Sequence, residues 1–172
     1  MIARLLLRAV VVTGAIALGG CGSGGQPPTL PSEDVCAVSS VIDGDSLNCV
    51  DGRRMRLLLI DAPEMAQVPF GDQARLVLLD LAPLGTELSV EYDVDRRGDF
   101  GRDLTYLWLP DGTMVNEAMA ALGYAVALVI PPNGRYEERI RAAVAEASEA
   151  GRGLWADWKF ACLPVDFRAG RC

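Results

Sequence analysis

The chain has 172 residues, with 16 Lys and Arg against 23 Asp and Glu, so its formal net charge is −7. It contains no histidine, which excludes histidine-based hydrolytic triads and the histidine-ligated zinc sites of many hydrolases. An acidic protein repels polyanions at long range, so the charge also argues against tight nonspecific binding of nucleic acid.

The first 21 residues have the pattern of a bacterial lipoprotein signal peptide. Arg4 and Arg8 supply positive charge, residues 9–17 are apolar, and the sequence LGGC resembles a lipobox that ends at Cys21. An ordinary signal peptide or a transmembrane helix are the alternatives, although a bilayer span needs ~20 apolar residues. We expect lipidation at Cys21, which would place the protein in the bacterial cell envelope, outside the cytoplasm and attached to the membrane by lipid alone.

Residues 22–34 are rich in Gly, Ser and Pro and contain few apolar side chains. This composition is typical of a flexible tether. The remaining residues, 35–172, suit one domain of ordinary size with a C-terminal tail.

The apolar pattern predicts five strands, at residues 35–42, 46–50, 54–60, 88–94 and 103–109. Asp72 and Thr113 are candidate caps for the first two of three helices, predicted at residues 72–81, 114–122 and 135–150. The tail carries Trp155, Trp158 and Phe160, which we expect to pack against the body. Periodicity alone therefore indicates an α+β domain.

Four ionisable residues lie at the ends of the first predicted strands: Asp45, Arg56, Asp61 and Glu64. Without histidine, hydrolysis by this chain would depend on carboxylates, arginines and a hard metal ion. The oxygen atoms of Asp45 and Asp61 suit Ca²⁺ or Mg²⁺ better than a transition metal. A glutamate can activate a water molecule, and arginines can bind phosphate oxygens in a bidentate way.

These motifs, in this order, resemble the staphylococcal nuclease (thermonuclease) family. The DGD turn of residues 43–45 precedes the sequence RLLLIDAPE of residues 56–64, and Phe100-Gly101-Arg102 is similar to the family's aromatic-Gly-Arg element. The sequence GTMVN of residues 112–116 and the sequence GRGLW of residues 151–155 resemble later elements. The resemblance covers about residues 38–155.

The resemblance implies an OB-fold, a five-stranded β-barrel with about three α-helices. It also implies a calcium site made by the carboxylates of Asp45 and Asp61 and the backbone carbonyl of Ala62. Asp43 would lie near this metal.

The same resemblance assigns Glu64 as the general base and Arg56 and Arg102 as the pair that binds phosphate and stabilises the transition state. Phe100 can stack on a base of the substrate. The segment 128–132 contains no aromatic residue, whereas the staphylococcal prototype has nucleotide-holding tyrosines there. The family fold would bring six arginines to one face, unless they are ordinary solvated residues: Arg53, Arg54, Arg56, Arg96, Arg97 and Arg102.

Besides Cys21, the chain has four cysteines, an even number that favours two disulfides in an exported domain. Three connectivities are possible, and we favour the local pairs Cys36–Cys49 and Cys162–Cys172. A zinc site is the alternative, although no C-x-x-C spacing supports it.

These expectations describe a secreted, lipid-anchored, monomeric endonuclease that uses Ca²⁺ to hydrolyse phosphodiester bonds of DNA and/or RNA. The resemblance also implies cleavage that leaves a 3′-phosphate. The alternative is a noncatalytic OB-fold surface lipoprotein that binds nucleic acid or another partner.

Overall fold

The structure is a computed structural model that describes residues 34–157 and 160–172. The predicted signal peptide, the predicted lipidation site at Cys21 and the predicted linker up to residue 33 lie outside the described residues. Trp158 also lies outside them. Within the described ranges, none of the helices combines the length and apolar character needed to cross a bilayer.

Five strands form a closed barrel, which confirms the predicted OB-type α+β fold. Around the barrel they follow the order β1-β2-β3-β6-β5, with all neighbours antiparallel except β3 and β6. Their bounds are β1 Val35–Val41, β2 Ser46–Cys49, β3 Arg54–Leu57, β5 Glu87–Arg97 and β6 Asp103–Trp108. A separate two-stranded sheet pairs β4, Ile60–Asp61, with β7, Val126–Ala127.

The described residues form four α-helices, which are α1 Phe70–Leu81, α2 Val115–Ala121, α3 Glu137–Glu149 and the short α4 Pro164–Arg168. The first three correspond to the predicted helices, and α4 is an addition in the tail. Short 3₁₀ turns lie at Asp99–Gly101 and Gly153–Ala156.

Alternation along the strands fills the barrel with apolar side chains. Leu47, Met55, Leu57, Leu88 and Val90 are all fully buried. Each such side chain contributes roughly 1.5–3 kcal/mol when it is removed from water. This core fixes the strand registers on which the candidate site depends.

Several predicted boundaries and both candidate caps were wrong, and three of these differences concern the surroundings of the site. The strand predicted at residues 54–60 is interrupted at Leu58 and Leu59, because Leu59 has a positive φ of 65° that ends the extended run. Helix α1 begins at Phe70, and Asp72 lies in its first turn, paired with Arg75, instead of capping it. Thr113 does not cap α2, because the N-cap position is occupied by Met114 and no side chain caps the helix.

Both predicted disulfides are present. Cys36–Cys49 joins neighbouring strands β1 and β2, and Cys162–Cys172 closes a loop around α4. The tail packs against the body through Phe160, whose ring meets that of Phe70 edge to face at 5.2 Å between centroids. The prediction that the tail folds back is therefore confirmed for this residue.

Candidate active site

The turn from β1 to β2 contains Asp43, Gly44 and Asp45. The backbone amide of Asp45 donates to Asp43 Oδ1 at 3.0 Å, which tightens the turn. A Cβ atom on Gly44 would lie 2.6 Å from the Cβ atoms of both Ala62 and Ala74. Glycine is therefore required for this turn to lie directly against the segment after β4 and against α1.

Asp45 is a buried carboxylate with fixed partners. Its Oδ2 accepts a hydrogen bond from the Ala62 amide at 2.8 Å, and its Oδ1 accepts one from the Ser46 hydroxyl at 3.0 Å. Burial raises the pKa of Asp45 to about 7 and outweighs the lowering effect of the Arg56 guanidinium. The neighbouring carboxylates of Asp43 and Asp61 raise it further, because an additional negative charge in this poorly solvated site is unfavourable.

The turn at Leu58 and Leu59 places Asp61. Asn116, fully buried on α2, donates through Nδ2 to the carbonyl of Leu58 at 3.0 Å and to that of Thr105 at 3.1 Å. Its Oδ1 accepts a hydrogen bond from a backbone amide of β6 at 3.0 Å. The chain then enters β4, which ends at Asp61, so Asn116 holds the turn from which this carboxylate projects.

Arg56, on β3, lies between the two acidic residues. Its Nε is 3.1 Å from Asp45 Oδ1, and its Nη2 is 3.4 Å from Asp61 Oδ1. The side chain is only 14% exposed. One guanidinium thus bridges both carboxylates at the floor of the site.

Glu64 lies on the loop between β4 and α1, which is held in place at both of its ends. The amide of Glu64 donates to Gln67 Oε1 at 2.8 Å. A Cβ atom on Gly71 would lie 2.2 Å from the Glu64 carbonyl oxygen, so only glycine permits this approach. The Glu64 side chain is 39% exposed and therefore accessible to water.

Arg102 reaches the same region from the start of β6, the strand next to β3 in the barrel. It immediately precedes β6, whose first residue, Asp103, pairs in parallel with Met55 of β3. This pairing brings Arg102 next to the strand that carries Arg56. The Arg102 guanidinium lies 6.0 Å from the centroid of the Phe100 ring.

Phe100 projects into solvent. The residue is 86% exposed, and its backbone has a positive φ of 59° in the 3₁₀ turn before Arg102. The ring stands beside the cleft and is not part of its lining. Of the predicted site residues with a catalytic, metal-binding or substrate-binding role, Phe100 alone is outside the cleft.

A single cleft of about 460 Å³ collects the other predicted residues. Its lining includes two carboxylates from the hairpin, two carboxylates from the following segment, one alanine and two arginines: Asp43, Asp45, Asp61, Glu64, Ala62, Arg56 and Arg102. Residues separated along the chain therefore meet at one concave surface, which is where a substrate would be enclosed.

The predicted arginine face forms only in part. Arg97 joins Arg56 and Arg102 in the cleft lining and pairs with Asp103 at 2.8 Å. Arg53 instead pairs with carboxylates at the barrel end, and the Arg96 guanidinium lies 3.9 Å from the centroid of a tyrosine ring. Three of the six arginines thus contribute positive charge to the cleft.

Arg168, in the last turn of α4, is a site residue that the sequence did not reveal. Its guanidinium binds both oxygens of Asp61, at 3.0 and 2.8 Å, and Glu64 Oε1 at 2.7 Å. The hydrogen bonds with Asp61, followed by those with Glu64, raise the pKa of Arg168 further above its ordinary value. The spacing of Cys162 and Cys172 is the one sign in the sequence that this segment is constrained. It does not predict which part of the barrel the segment packs against.

The donor atoms of the cleft suit a hard cation. Asp45 and Asp61 both lie within 3.4 Å of Arg56, and their available donors are oxygens, the ligands that Ca²⁺ prefers. Across residues 34–157 and 160–172, no three acidic, cysteine or histidine side chains gather as a ready-made metal site. A cation here would rely on two carboxylates, backbone oxygen and water to complete about six to eight ligands.

Comparisons with known proteins identify the family to which the chain is similar. Residues 54–157, more than half of the chain, match the family described as staphylococcal nuclease homologue. The chain is 31% identical over 137 residues to the thermonuclease of Staphylococcus hyicus, covering 73% of this chain and 78% of that protein. It is 33% identical to the thermonuclease of Staphylococcus intermedius, covering 69% and 74%, and 34% identical to endonuclease YncB of Bacillus subtilis, covering 67% and 58%.

Proposed function

The chain belongs to the staphylococcal nuclease family, and on this basis we propose that it is a calcium-dependent endonuclease that hydrolyses phosphodiester bonds of DNA and/or RNA. The observation that carries the proposal is the cleft itself. It joins two buried carboxylates, an accessible glutamate and two arginines in one cavity. The names of the relatives, thermonuclease and endonuclease, support the same reaction class.

Asp45 and Asp61 would hold the calcium ion, with the backbone carbonyl of Ala62 as a third donor. When bound, the ion would neutralise charge on the phosphate under attack. Asp43 supports this arrangement through its hydrogen bond to the Asp45 amide. The two carboxylates are fixed by the protein before substrate arrives, so little reorganisation would be needed.

Glu64 is the residue that we assign as general base. Its carboxylate is partly exposed at the cleft, where it can accept a proton from the attacking water. The short loop that holds its backbone limits where the carboxylate can move. Water activation by a carboxylate also agrees with the absence of histidine from the chain.

Arg56 and Arg102 would bind the phosphate oxygens on which negative charge develops. A guanidinium presents two parallel donors to such oxygens, which an ammonium group does not. Phe100 would stack on a base beside the cleft, since its ring is exposed close to Arg102. We further propose that the product carries a 3′-phosphate.

We also propose that the enzyme is a monomer attached by lipid on Cys21 to the membrane of the bacterial cell envelope, on the side away from the cytoplasm. The support is the sequence of the first 21 residues, in which a short apolar run precedes the lipobox-like LGGC. Residues 22–34 would then act as a tether between the lipid and the barrel.

The test is cleavage of single-stranded DNA and RNA by the full-length chain, purified in detergent with its disulfides oxidised. We expect cleavage in calcium, loss of cleavage with a calcium chelator, and loss on Glu64→Gln. Activity that survives complete chelation would contradict the calcium requirement. Tight binding of the oligonucleotide without cleavage would favour the noncatalytic surface module instead.

A further inference from the structure

Arg168 occupies the two carboxylates on which the proposed chemistry depends. Its Nη1 is 3.0 Å from Asp61 Oδ1 and 2.7 Å from Glu64 Oε1, while its Nη2 is 2.8 Å from Asp61 Oδ2. Asp61 is almost completely buried, with 3% of its side chain exposed, whereas 41% of the Arg168 side chain is exposed. The arginine therefore enters from the solvent side and covers the accessible edge of Asp61.

The tail that carries Arg168 is attached to the body close to the site. Gln67 Nε2 donates to the Cys162 carbonyl at 2.9 Å, while its Oε1 accepts from the Glu64 amide at 2.8 Å. One buried glutamine thus links the general-base loop to the start of the tail loop. The disulfide between Cys162 and Cys172 closes that loop, so α4 and Arg168 are confined near the cleft.

A divalent cation at Asp61 would need the same oxygen atoms and would repel the guanidinium. Arg56 already lies 3.4 Å from Asp61 Oδ1, so a cation added beside Arg168 would be a third positive group against one carboxylate in a poorly solvated site, at a large Coulomb cost. Because Arg168 is part of the same chain, its effective concentration at Asp61 is independent of the protein concentration. It therefore competes with the cation under all conditions in which the tail is folded.

We propose that Arg168 is a built-in competitor for the cation site, which lowers the affinity of the cleft for Ca²⁺ and moves away from Asp61 when the ion binds. The inference rests on the proposed function, because it takes Asp61 as a calcium ligand. Under this proposal Arg168, a residue of the tail that lies outside the catalytic motifs, helps to set the calcium concentration at which the enzyme operates.

The experiment is isothermal titration of the full-length protein with calcium chloride, comparing wild type with Arg168→Ala. Hydrogen bonds to charged groups are strong enough that their removal should tighten calcium binding by about tenfold or more. Arg171→Ala is the matched control, because Arg171 lies in the same tail loop and pairs with Asp166, away from the cleft. It removes the same charge from the protein and should leave the calcium affinity at the wild-type value.

A second variant keeps Arg168 but loosens the tether. The double substitution Cys162→Ala and Cys172→Ala should also tighten calcium binding, by less than Arg168→Ala does, and the melting temperature of each variant checks folding. The proposal would be overturned if Arg168→Ala bound calcium no more tightly than wild type does. It would also be overturned if Arg171→Ala tightened calcium binding as much as Arg168→Ala does, or if neither wild type nor Arg168→Ala bound calcium. Wild-type calcium affinity in the double cysteine variant would overturn the role of the tether.

Calcium binding and cleavage are separate measurements, so the two proposals can fail independently. A protein that binds calcium more tightly after Arg168→Ala but cuts no nucleic acid would support the competitor and contradict the nuclease. A protein that cuts in calcium while Arg168→Ala leaves the affinity unchanged would contradict the competitor alone.

Discussion

The carboxylate of Asp45 accepts a hydrogen bond from the backbone amide of Ala62 at 2.8 Å, which joins the first hairpin to the segment that follows β4. The same carboxylate is buried, and burial raises its pKa to about 7 from an ordinary value of 3.8. The carboxylate that holds the hairpin against this segment therefore also changes its protonation near neutral pH.

The stability of the calcium-free protein should depend on the protonation of Asp45. Because its pKa is raised in the folded state, this group contributes stability that is fully present below its unfolded pKa of 3.8 and is lost as pH rises through about 7. In chelator, lowering the pH from about 8 to about 6 should raise the free energy of unfolding of wild type, relative to Asp45→Asn, by roughly 1 kcal/mol. Urea unfolding of both proteins measures this difference, and parallel pH profiles would contradict it.

Arg102→Lys should slow cleavage far more than it weakens substrate binding. The change keeps the positive charge but loses the planar two-pronged donor, and removal of one preorganised donor typically costs about 10²–10³ in rate. Single-turnover cleavage and binding of a short oligonucleotide separate the two effects. Arg54→Lys is the control, since Arg54 is exposed and does not line the cleft. A folded Arg102→Lys protein that cuts at the wild-type rate would remove Arg102 from the mechanism.

Asn116→Ala should destabilise the fold and impair the site together. The substitution removes three hydrogen bonds made by a fully buried side chain, and the carbonyl of Leu58 and its partners on β6 lose that contact. We expect a loss of about 2–4 kcal/mol in the free energy of unfolding. Asn48→Ala, which removes one half-buried bond to Ser40, should cost much less in the same denaturation experiment. Similar losses for both variants would show that Asn116 does not hold the turn.

Gly44→Ala should separate the hairpin from the rest of the site. The added methyl group would lie 2.6 Å from two alanine Cβ atoms, so the backbone must shift, at a cost of about 1–3 kcal/mol. Calcium affinity should fall with the melting temperature, because Asp45 adjoins the shifted turn. Gly134→Ala is the control, as its new Cβ would have one neighbour at 3.8 Å. Unchanged calcium binding by a folded Gly44→Ala protein would contradict the role of the turn.

Cys21→Ala should abolish lipidation in cells. The lipobox-like sequence predicts that this thiol carries the lipid, so the variant should accumulate with its first residues still attached. Intact mass and partition into a detergent phase measure both consequences. If the variant is shortened and partitions as wild type does, the prediction of a lipobox is wrong.

The elements that could be predicted are those governed by local pattern. The alternation at Leu88 and Val90 correctly predicted a buried strand. The family resemblance depends on short stretches in a fixed order, among them the DGD turn and the segment that ends at Glu64. The barrel itself followed from that resemblance and not from periodicity. The cleft brings Asp45 and Arg102 together as expected, although their chemical roles stay predictions.

The contacts that escaped prediction are those made by tertiary structure. Leu59 is an apolar residue in an apolar run, and only its surroundings, including the buried Asn116, force a turn there. Helix α1 begins before its candidate cap. Arg168 meets Asp61 across 107 residues, and no local signal specifies the place at which a tail folds back.

The parallel pairing of β3 with β6 has a consequence for when the protein becomes able to cut. These strands are separated in the chain by β4, α1 and β5, so their pairing requires closure of a long loop. The entropic cost of that closure is met before the contacts between the strands can form. A folding intermediate with only β1, β2 and β3 paired would carry Asp45 and Arg56 but lack Arg102 at their side. Since β3–β6 pairing brings Arg102 beside Arg56, a newly made or half-folded chain should be unable to use the mechanism proposed above.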